Sequence, residues 1–110
     1  MANTFKRKLS RGIGTSLTAV DSYVVPSATA TTVIGLAVAN VTASQVIVDA
    51  TVNDGSNDTY LIKSAPIPSG GTLVIIGGDQ KVVLETLDSI KIKSNTAASV
   101  DVVMSILEIT

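Results

Sequence analysis

Carboxylate and amide side chains cluster at one place in this 110-residue chain, and their oxygens could hold a calcium ion. The cluster is Asn53-Asp54-Gly55-Ser56-Asn57-Asp58. It does not follow the spacing of a calcium-binding loop and lacks the glutamate that closes one. Asp-Gly is also a strong signal for a tight hairpin turn, because both residues tolerate a positive φ. We interpret the segment as a hairpin turn.

Other residues that could do chemistry are few. Glu85 and Asp88 could form the carboxylate pair of a glycosidase, but they flank a predicted turn and no aromatic sugar platform is nearby. The pairs Gly70-Gly71 and Gly77-Gly78 do not fit the spacing of a phosphate-binding loop. Histidine and cysteine are absent, which removes the commonest general base, the thiol nucleophile and zinc-thiolate ligation. We expect no catalytic residue, no cofactor and no metal.

The distribution of charge is more informative. The first eleven residues contain four of the eight basic residues and no acid: Lys6, Arg7, Lys8 and Arg11. The other four basic residues stand against all nine acids, so the rest of the chain has a net charge of −5. A basic segment joined to an acidic domain is typical of a contact with nucleic acid, a membrane surface or a neighbouring protein.

We divide the chain into an N-terminal arm, residues 1–14, and one domain, residues 15–110. Phe5 and Leu9 are four residues apart, Asn3 or Thr4 could cap a helix, and Gly12 suits the position after one. The arm is therefore predicted to form a helix of about two turns that orders on a partner; such a helix is marginal alone. A solvated tail is the alternative, and both leave the domain able to fold without the arm.

A neighbouring protein is the partner that the arm fits best. The acidic domain would repel the phosphates that the arm attracts, so sequence-specific binding of nucleic acid is not expected. Two apolar side chains are too few for stable membrane insertion. The predicted partner-binding residues are Phe5, Lys6, Arg7, Lys8, Leu9 and Arg11.

The rest of the sequence predicts an all-β fold. Segments rich in Val, Ile and Thr alternate with turn residues, and none shows a sustained helical period. We expect seven or eight strands in an antiparallel β-sandwich or a jelly-roll-like barrel. The predicted segments are 17–25, 31–40, 45–53, 58–65, 72–76, 81–86, 88–94 and 99–110.

Apolar residues exceed what one small core needs, since 45% of the chain is hydrophobic and only 3% is aromatic. The last predicted strand alternates through Val100, Val102, Met104 and Ile106 and then continues with apolar Leu107 and Ile109. A bulge near Ile106, or burial of both faces, would explain this change of phase. Surplus apolar strand surface predicts self-association or contact with other subunits.

From Thr31 onward the sequence resembles small virion proteins of tailed bacteriophages, particularly those of marine bacteria. Ala39-Asn40 ends one strand, an Ile-Pro-x-Gly-Gly-x-Leu segment covers 67–73, and Leu-Glu-Ile ends the chain at 107–109. Related sequences often carry glycine before the aspartate of the penultimate strand, where this chain has Leu87 before Asp88. The resemblance implies a β-sandwich built into the head surface, the neck or the tail of a phage particle.

These observations predict a virion structural protein with no enzymatic activity. We expect a minor accessory protein of the head surface or neck, of the decoration or cement type, which docks through its arm and its apolar sheet faces. Its partners would be other phage structural subunits and further copies of itself, assembled in the cytoplasm of the host bacterium. The alternatives are a component of the tail tube or baseplate and a glycan- or receptor-binding module, for which Tyr23 and Tyr60 are the only aromatic residues outside the arm.

Overall fold

The computed structural model describes residues 2–110, so residue 1 of the predicted arm lies outside it. The described residues form nine strands and one short 3-10 turn at Val20–Ser22. The strands are β1 (Asn3–Ile13), β2 (Thr18–Ala19), β3 (Ala30–Asn40), β4 (Val46–Asn53), β5 (Asp58–Ile67), β6 (Thr72–Ile76), β7 (Val82–Leu84), β8 (Ser89–Ser94) and β9 (Val100–Ile109).

The strands form two antiparallel sheets. The five-stranded sheet has the order β1-β9-β3-β6, and β7 pairs with β3 on the same side as β6. The four-stranded sheet has the order β2-β8-β4-β5. This arrangement confirms the predicted all-β sandwich, with β1 as a strand that the sequence did not predict.

The core lies between the sheets and consists of aliphatic side chains. Alternate residues of β4 and β9 face inward, as their sequence alternation predicted: Val46, Val48 and Ala50 in β4, and Val100, Val102, Met104 and Ile106 in β9. Tyr23 is the one aromatic side chain among the buried core residues of the described chain. Each fully buried aliphatic side chain contributes about 1.5–3 kcal/mol, so the core depends on the number of such residues.

The end of β9 keeps its alternation where the sequence suggested a change of phase. Glu108 faces inward and is buried, whereas Leu107 and Ile109 face outward and are half-buried. The irregularity lies in the neighbouring strand, because Val33 pairs with Ile106 and Gly35 pairs with Ser105, which leaves one extra residue in β3. A buried glutamate, not a bulge in β9, explains the pattern.

The β4–β5 connection is the predicted hairpin. Asn53 pairs with Asp58, and Gly55 has a φ of 100°. The Asp54 carboxylate accepts backbone N–H bonds from Ser56 at 3.0 Å and Asn57 at 2.8 Å. The bonds from Asn57 and Ser56 lower the pKa of Asp54. These oxygens close the turn that the sequence indicated.

Six described residues other than glycine have left-handed backbone conformations, and three of them bear on the predicted elements. Asp21 and Ser22 have φ values of 55° and 53°, so the strand predicted for 17–25 is wrong beyond the short β2. Leu87 has a φ of 76°. The turn before β8 therefore keeps a conformation that favours glycine, although a leucine occupies the position.

The helix predicted for the arm is wrong, because the segment is strand β1. It pairs with β9 from Asn3, opposite Ile109, to Ser10, opposite Val102. A spacing of four residues puts Phe5 and Leu9 on one face of a strand as well as one face of a helix. Pairing with β9 gives partners to the backbone groups of β1 that face β9, from Asn3 to Ser10 and again at Ile13, whereas a two-turn helix would be marginal alone.

Candidate docking surface

Strand alternation divides the predicted partner-binding residues into two groups. Lys6 and Lys8 lie opposite Ile106 and Met104, so they point to the inner side of the sheet at its edge. Phe5, Arg7 and Leu9 lie opposite Leu107, Ser105 and Val103 and point outward. Arg11 follows them at an exposed bulge, where Gly12 has a φ of 61° and donates its N–H to the Asp101 carboxylate at 2.9 Å.

Lys6 belongs to a buried polar network beneath β1. Its Nζ lies 3.0 Å from Oε1 of Glu108, which is only 6% exposed. The Tyr23 hydroxyl donates to Oε2 of Glu108 at 2.6 Å and lies 2.8 Å from the Thr31 hydroxyl. All the buried polar atoms of Tyr23, Thr31 and Glu108 therefore have partners.

The network favours one protonation state for each of its acids. The hydrogen bond from Tyr23, followed by the one from Lys6, lowers the pKa of Glu108. Burial, helped by the hydrogen bond to Glu108, raises the pKa of Tyr23 to about 12. At neutral pH the network therefore holds a charged carboxylate and a neutral phenol, as a fixed structural anchor requires.

Lys8 and Ser10 attach the remainder of β1. Lys8 Nζ lies 4.8 Å from the centre of the Tyr23 ring, within the range of a cation–π contact. Ser10 Oγ accepts the N–H of Asp21 at 2.7 Å, which joins β1 to the 3-10 turn. Inward-pointing charges on an edge strand also discourage unwanted strand pairing. Lys6 and Lys8 thus have contacts within their own chain, and their predicted role toward a partner stays a prediction.

The outward face of the five-stranded sheet is apolar. Phe5 is 74% exposed and lies opposite half-buried Leu107, and half-buried Leu9 lies opposite Val103 on the same face. Of the eight large apolar side chains exposed within residues 2–110, four face outward from this sheet: Phe5, Val74, Val83 and Val103. Several exposed apolar side chains on one face indicate an interaction site better than exposed residues scattered over the whole surface do.

Two arginines lie beside this apolar surface. Arg7 and Arg11 are exposed, and neither forms an ion pair with any residue in the described part of the chain. Guanidinium groups are enriched at protein interfaces and bind carboxylates with two parallel hydrogen bonds. We call six residues the outward surface of β1 and β9: Phe5, Arg7, Leu9, Arg11, Val103 and Leu107.

The outward face of the four-stranded sheet differs in chemistry. Lys93 pairs with Asp49 at 3.7 Å, and Lys63 lies 4.6 Å above the Tyr60 ring. Thr51 and Asn53 both donate to the Asp58 carboxylate, at 3.0 and 2.9 Å. These polar groups are thus bound by neighbours on the same face.

Sequence reasoning missed the network that anchors β1. Tyr23 and Glu108 are 85 residues apart in the chain, so no local motif joins them. One signal was present: Glu108 occupies the inward phase of β9, where a charged residue needs a partner.

The remaining sequence candidates have structural roles. Asp88 accepts the Glu85 N–H at 2.8 Å and closes the turn between β7 and β8. Gly70 and Gly78, with φ values of 71° and 62°, are turn residues.

Residues 2–110 contain no group of three or more His, Cys, Asp and Glu placed to hold a metal ion. Among the same residues no helix has the length and apolar character to cross a membrane.

Comparison with known proteins shows the fold. No protein-family model matches the sequence, and no curated protein sequence matches it significantly. A chain from the acidic stable capsid structure of Helicobacter pylori bacteriophage KHP30 matches with a TM-score of 0.56 and 9% identity, over 98% of this chain and 87% of that chain. A chain of the Bacillus endospore appendages, a family of disulfide-linked pili, matches with a TM-score of 0.54 and 12% identity, over 98% and 88%. At these identities the likeness shows a shared fold.

Proposed function

We propose that this protein is a non-enzymatic structural component of a bacteriophage particle. It is a minor accessory protein of the head surface or neck, and it docks on neighbouring subunits through the outward surface of β1 and β9. The observation that carries the proposal is the unpartnered apolar face that ends at Phe5 and Val103. The sequence resemblance and the fold shared with a chain of a phage capsid structure both support it.

The composition of the surface defines how it binds. Each Å² of apolar area removed from water contributes about 25 cal/mol, and Phe5 offers the largest side chain on the surface. Arg7 and Arg11 add attraction for carboxylates on the neighbouring subunit. Lys6 and Lys8 are already bound within the chain, so their contribution to docking is smaller.

Incorporation into particles tests the proposal. The double variant Phe5→Ser with Val103→Ser removes two exposed side chains and leaves both strands in place. We expect a folded protein by circular dichroism whose copy number in purified particles falls at least tenfold. The matched control is Tyr60→Ser on the opposite, polar face, which should be incorporated normally. Normal incorporation of the double variant would refute docking through this surface.

Salt dependence separates the apolar and the ionic parts of the contact. Arg7→Gln with Arg11→Gln should weaken docking most at low salt, because screening already removes much of the attraction at high salt.

Gold-labelled antibody against the protein then locates it on the particle. Label on the head or neck agrees with the proposal, whereas label along the tail would favour the tail-tube or baseplate alternative.

A further inference from the structure

An apolar hollow lies beside β2 on the outward face of the four-stranded sheet. It has a volume of about 550 Å³, and its apolar walls include Leu17, Val24 and Leu87. Lys91 contributes a cation to the same hollow. Val24 is 47% exposed and Leu87 is 63% exposed. The hollow therefore exposes aliphatic side chains at a place where the fold does not use them.

Leu87 lines the hollow and has a strained backbone conformation. Its φ of 76° is unfavourable for a branched side chain and would cost glycine nothing. Its backbone N–H is bound to the Val25 carbonyl at 3.0 Å, which fixes the turn. Ser22, on the rim, also has a positive φ of 53°. Leu87 has the largest apolar side chain of the six described non-glycine residues with a positive φ, and strained backbone clusters at functional sites in proteins.

Lys91 is the charged group of the hollow. Lys93, two residues along β8, pairs with Asp49, whereas no carboxylate within residues 2–110 forms an ion pair with Lys91. A hollow with aliphatic walls and a cation beside them can bind a group that has an aliphatic side chain and a carboxylate close to it. The occupant must therefore supply those two groups within a few ångströms of each other.

The chain itself exposes such a pair. Val83 is 66% exposed on the outward face of the five-stranded sheet, and exposed Glu85 follows two residues later. Glu85 forms no ion pair within the described residues. Val103 has Asp101 at the same spacing, but that carboxylate is bound to the Gly12 N–H. Exposed Val41 and Val74 have no acid within two residues.

We propose that Val83 and Glu85 of one copy occupy the hollow of a second copy, with Glu85 paired to Lys91. Val83 faces out of one sheet and the hollow lies on the other, so the contact is head-to-tail. A head-to-tail contact repeats into a closed ring or an open row of subunits. The inference rests on the proposed function. In both, the β1 edge of the outward face contacts a different protein, and the inference adds that the β7 edge contacts another copy of this chain.

Charge reversal tests this pairing. Sedimentation velocity of the full chain over a range of concentrations measures self-association. Lys91→Glu and Glu85→Lys should each raise the dissociation constant at least tenfold, and the double exchange should restore association. The matched controls, Lys63→Glu and Asp79→Lys, reverse exposed charges elsewhere and should leave association unchanged.

Leu87→Gly tests the role of the strained side chain. It removes the aliphatic wall and relieves the backbone, so the variant should melt at a higher temperature and associate more weakly. Weaker association with lower thermal stability would overturn the assignment, because it would mean that Leu87 stabilises the fold.

Three further results would overturn the inference. They are a wild-type chain that stays monomeric up to about 1 mM, single reversals that associate normally, and a double exchange that fails to restore association. Failure here is distinguishable from failure of the proposed function. If the copies do not contact each other, incorporation into particles should still depend on Phe5 and Val103. If the proposed function is wrong, substituting Phe5 and Val103 should leave incorporation unchanged.

Discussion

The two sides of strand β1 carry similar residues and have different tasks. On the inner side Lys6 and Lys8 bind Glu108 and Tyr23 of their own chain. On the outer side Arg7 lies between Phe5 and Leu9 and forms no ion pair within the described residues. A cluster of cations in a sequence can therefore contain two kinds of residue: cations that stabilise the fold, and cations that remain exposed and able to bind a partner.

Removing β1 should have the largest effect. Deletion through Arg11 removes the pairing with β9, takes Lys6 from Glu108 and exposes the edge of β9. We expect loss of most of the stability of about 5–15 kcal/mol that is typical of a domain, with aggregation in solution. Circular dichroism and light scattering measure both. A truncated protein that stays monomeric with a native spectrum would show that β1 is a dispensable arm, as the sequence suggested.

Glu108→Ala should have the next largest effect. It removes the carboxylate that accepts from the buried Tyr23 hydroxyl, leaving Thr31 as its neighbour, and takes the ion-pair partner from Lys6; the loss costs about 2–3 kcal/mol. Urea unfolding measures the change. Asp79→Asn, a substitution of an exposed carboxyl in a loop, is the control and should change the stability by less than about 0.5 kcal/mol. Equal effects of the two variants would contradict the assigned role of the inner side.

The same carboxylate should make stability depend on acid pH. Its pKa is lower in the folded chain than its ordinary value of 4.5, so the folded state binds fewer protons in this range than the unfolded state. The stabilisation is complete above about pH 4.5 and is lost as the pH falls through the lowered pKa. Urea midpoints between pH 2 and 7 should therefore fall less steeply in Glu108→Gln than in the wild type. Asp54 acts in the same direction in both proteins; parallel curves would refute the role of Glu108.

At alkaline pH the other partner of the network should matter. The pKa of Tyr23 is raised from 10.0 to about 12, so its contribution is present below pH 10 and is lost as the pH rises toward 12. Ultraviolet titration of tyrosinate, compared between the wild type and Tyr23→Phe, should show that the Tyr23 hydroxyl ionises near pH 12. If the absorbance lost in Tyr23→Phe belonged to a hydroxyl that ionises near pH 10, the raised pKa of Tyr23 would be refuted.

A single substitution on each side of β1 should give the smallest effects and the sharpest contrast. Lys8→Met keeps the side-chain length and removes the cation above Tyr23, which should cost about 0.5–1 kcal/mol. Arg7→Gln, one residue away on the outer side, should cost less than that, because Arg7 contacts no acid of the described chain. A larger loss for Arg7→Gln would reverse the assignment of the two sides.

The β-sandwich could be predicted from the sequence because its determinants are local. Val48, Ala50 and Val52 alternate with polar Asp49, Thr51 and Asn53 at the period of a strand, and Asp54-Gly55 marks a hairpin. The structure confirmed both. The strand predicted at 17–25 failed because Asp21 and Ser22 adopt positive φ values, which neither residue type requires.

The docking surface was predictable only in part. Charge and spacing identified the residues from Phe5 to Arg11 as a group, because an excess of cations is visible in any conformation. They could not assign a strand, since Phe5 and Leu9 share a face in a strand as they do in a helix. The partner strand β9 begins 87 residues after β1 ends, and only its pairing decided between the two.

The sequence by itself determined the strand alternation, the hairpin turn and the division into a basic N-terminal segment and an acidic remainder. These features depend on side-chain type and on neighbours a few residues away. The tertiary structure alone decided which cations are bound and which are free, because that depends on contacts such as Lys6 with Glu108 across 102 positions. It also decided that Leu87 stands exposed over a hollow beside Lys91, since distant turns come together only in the folded chain.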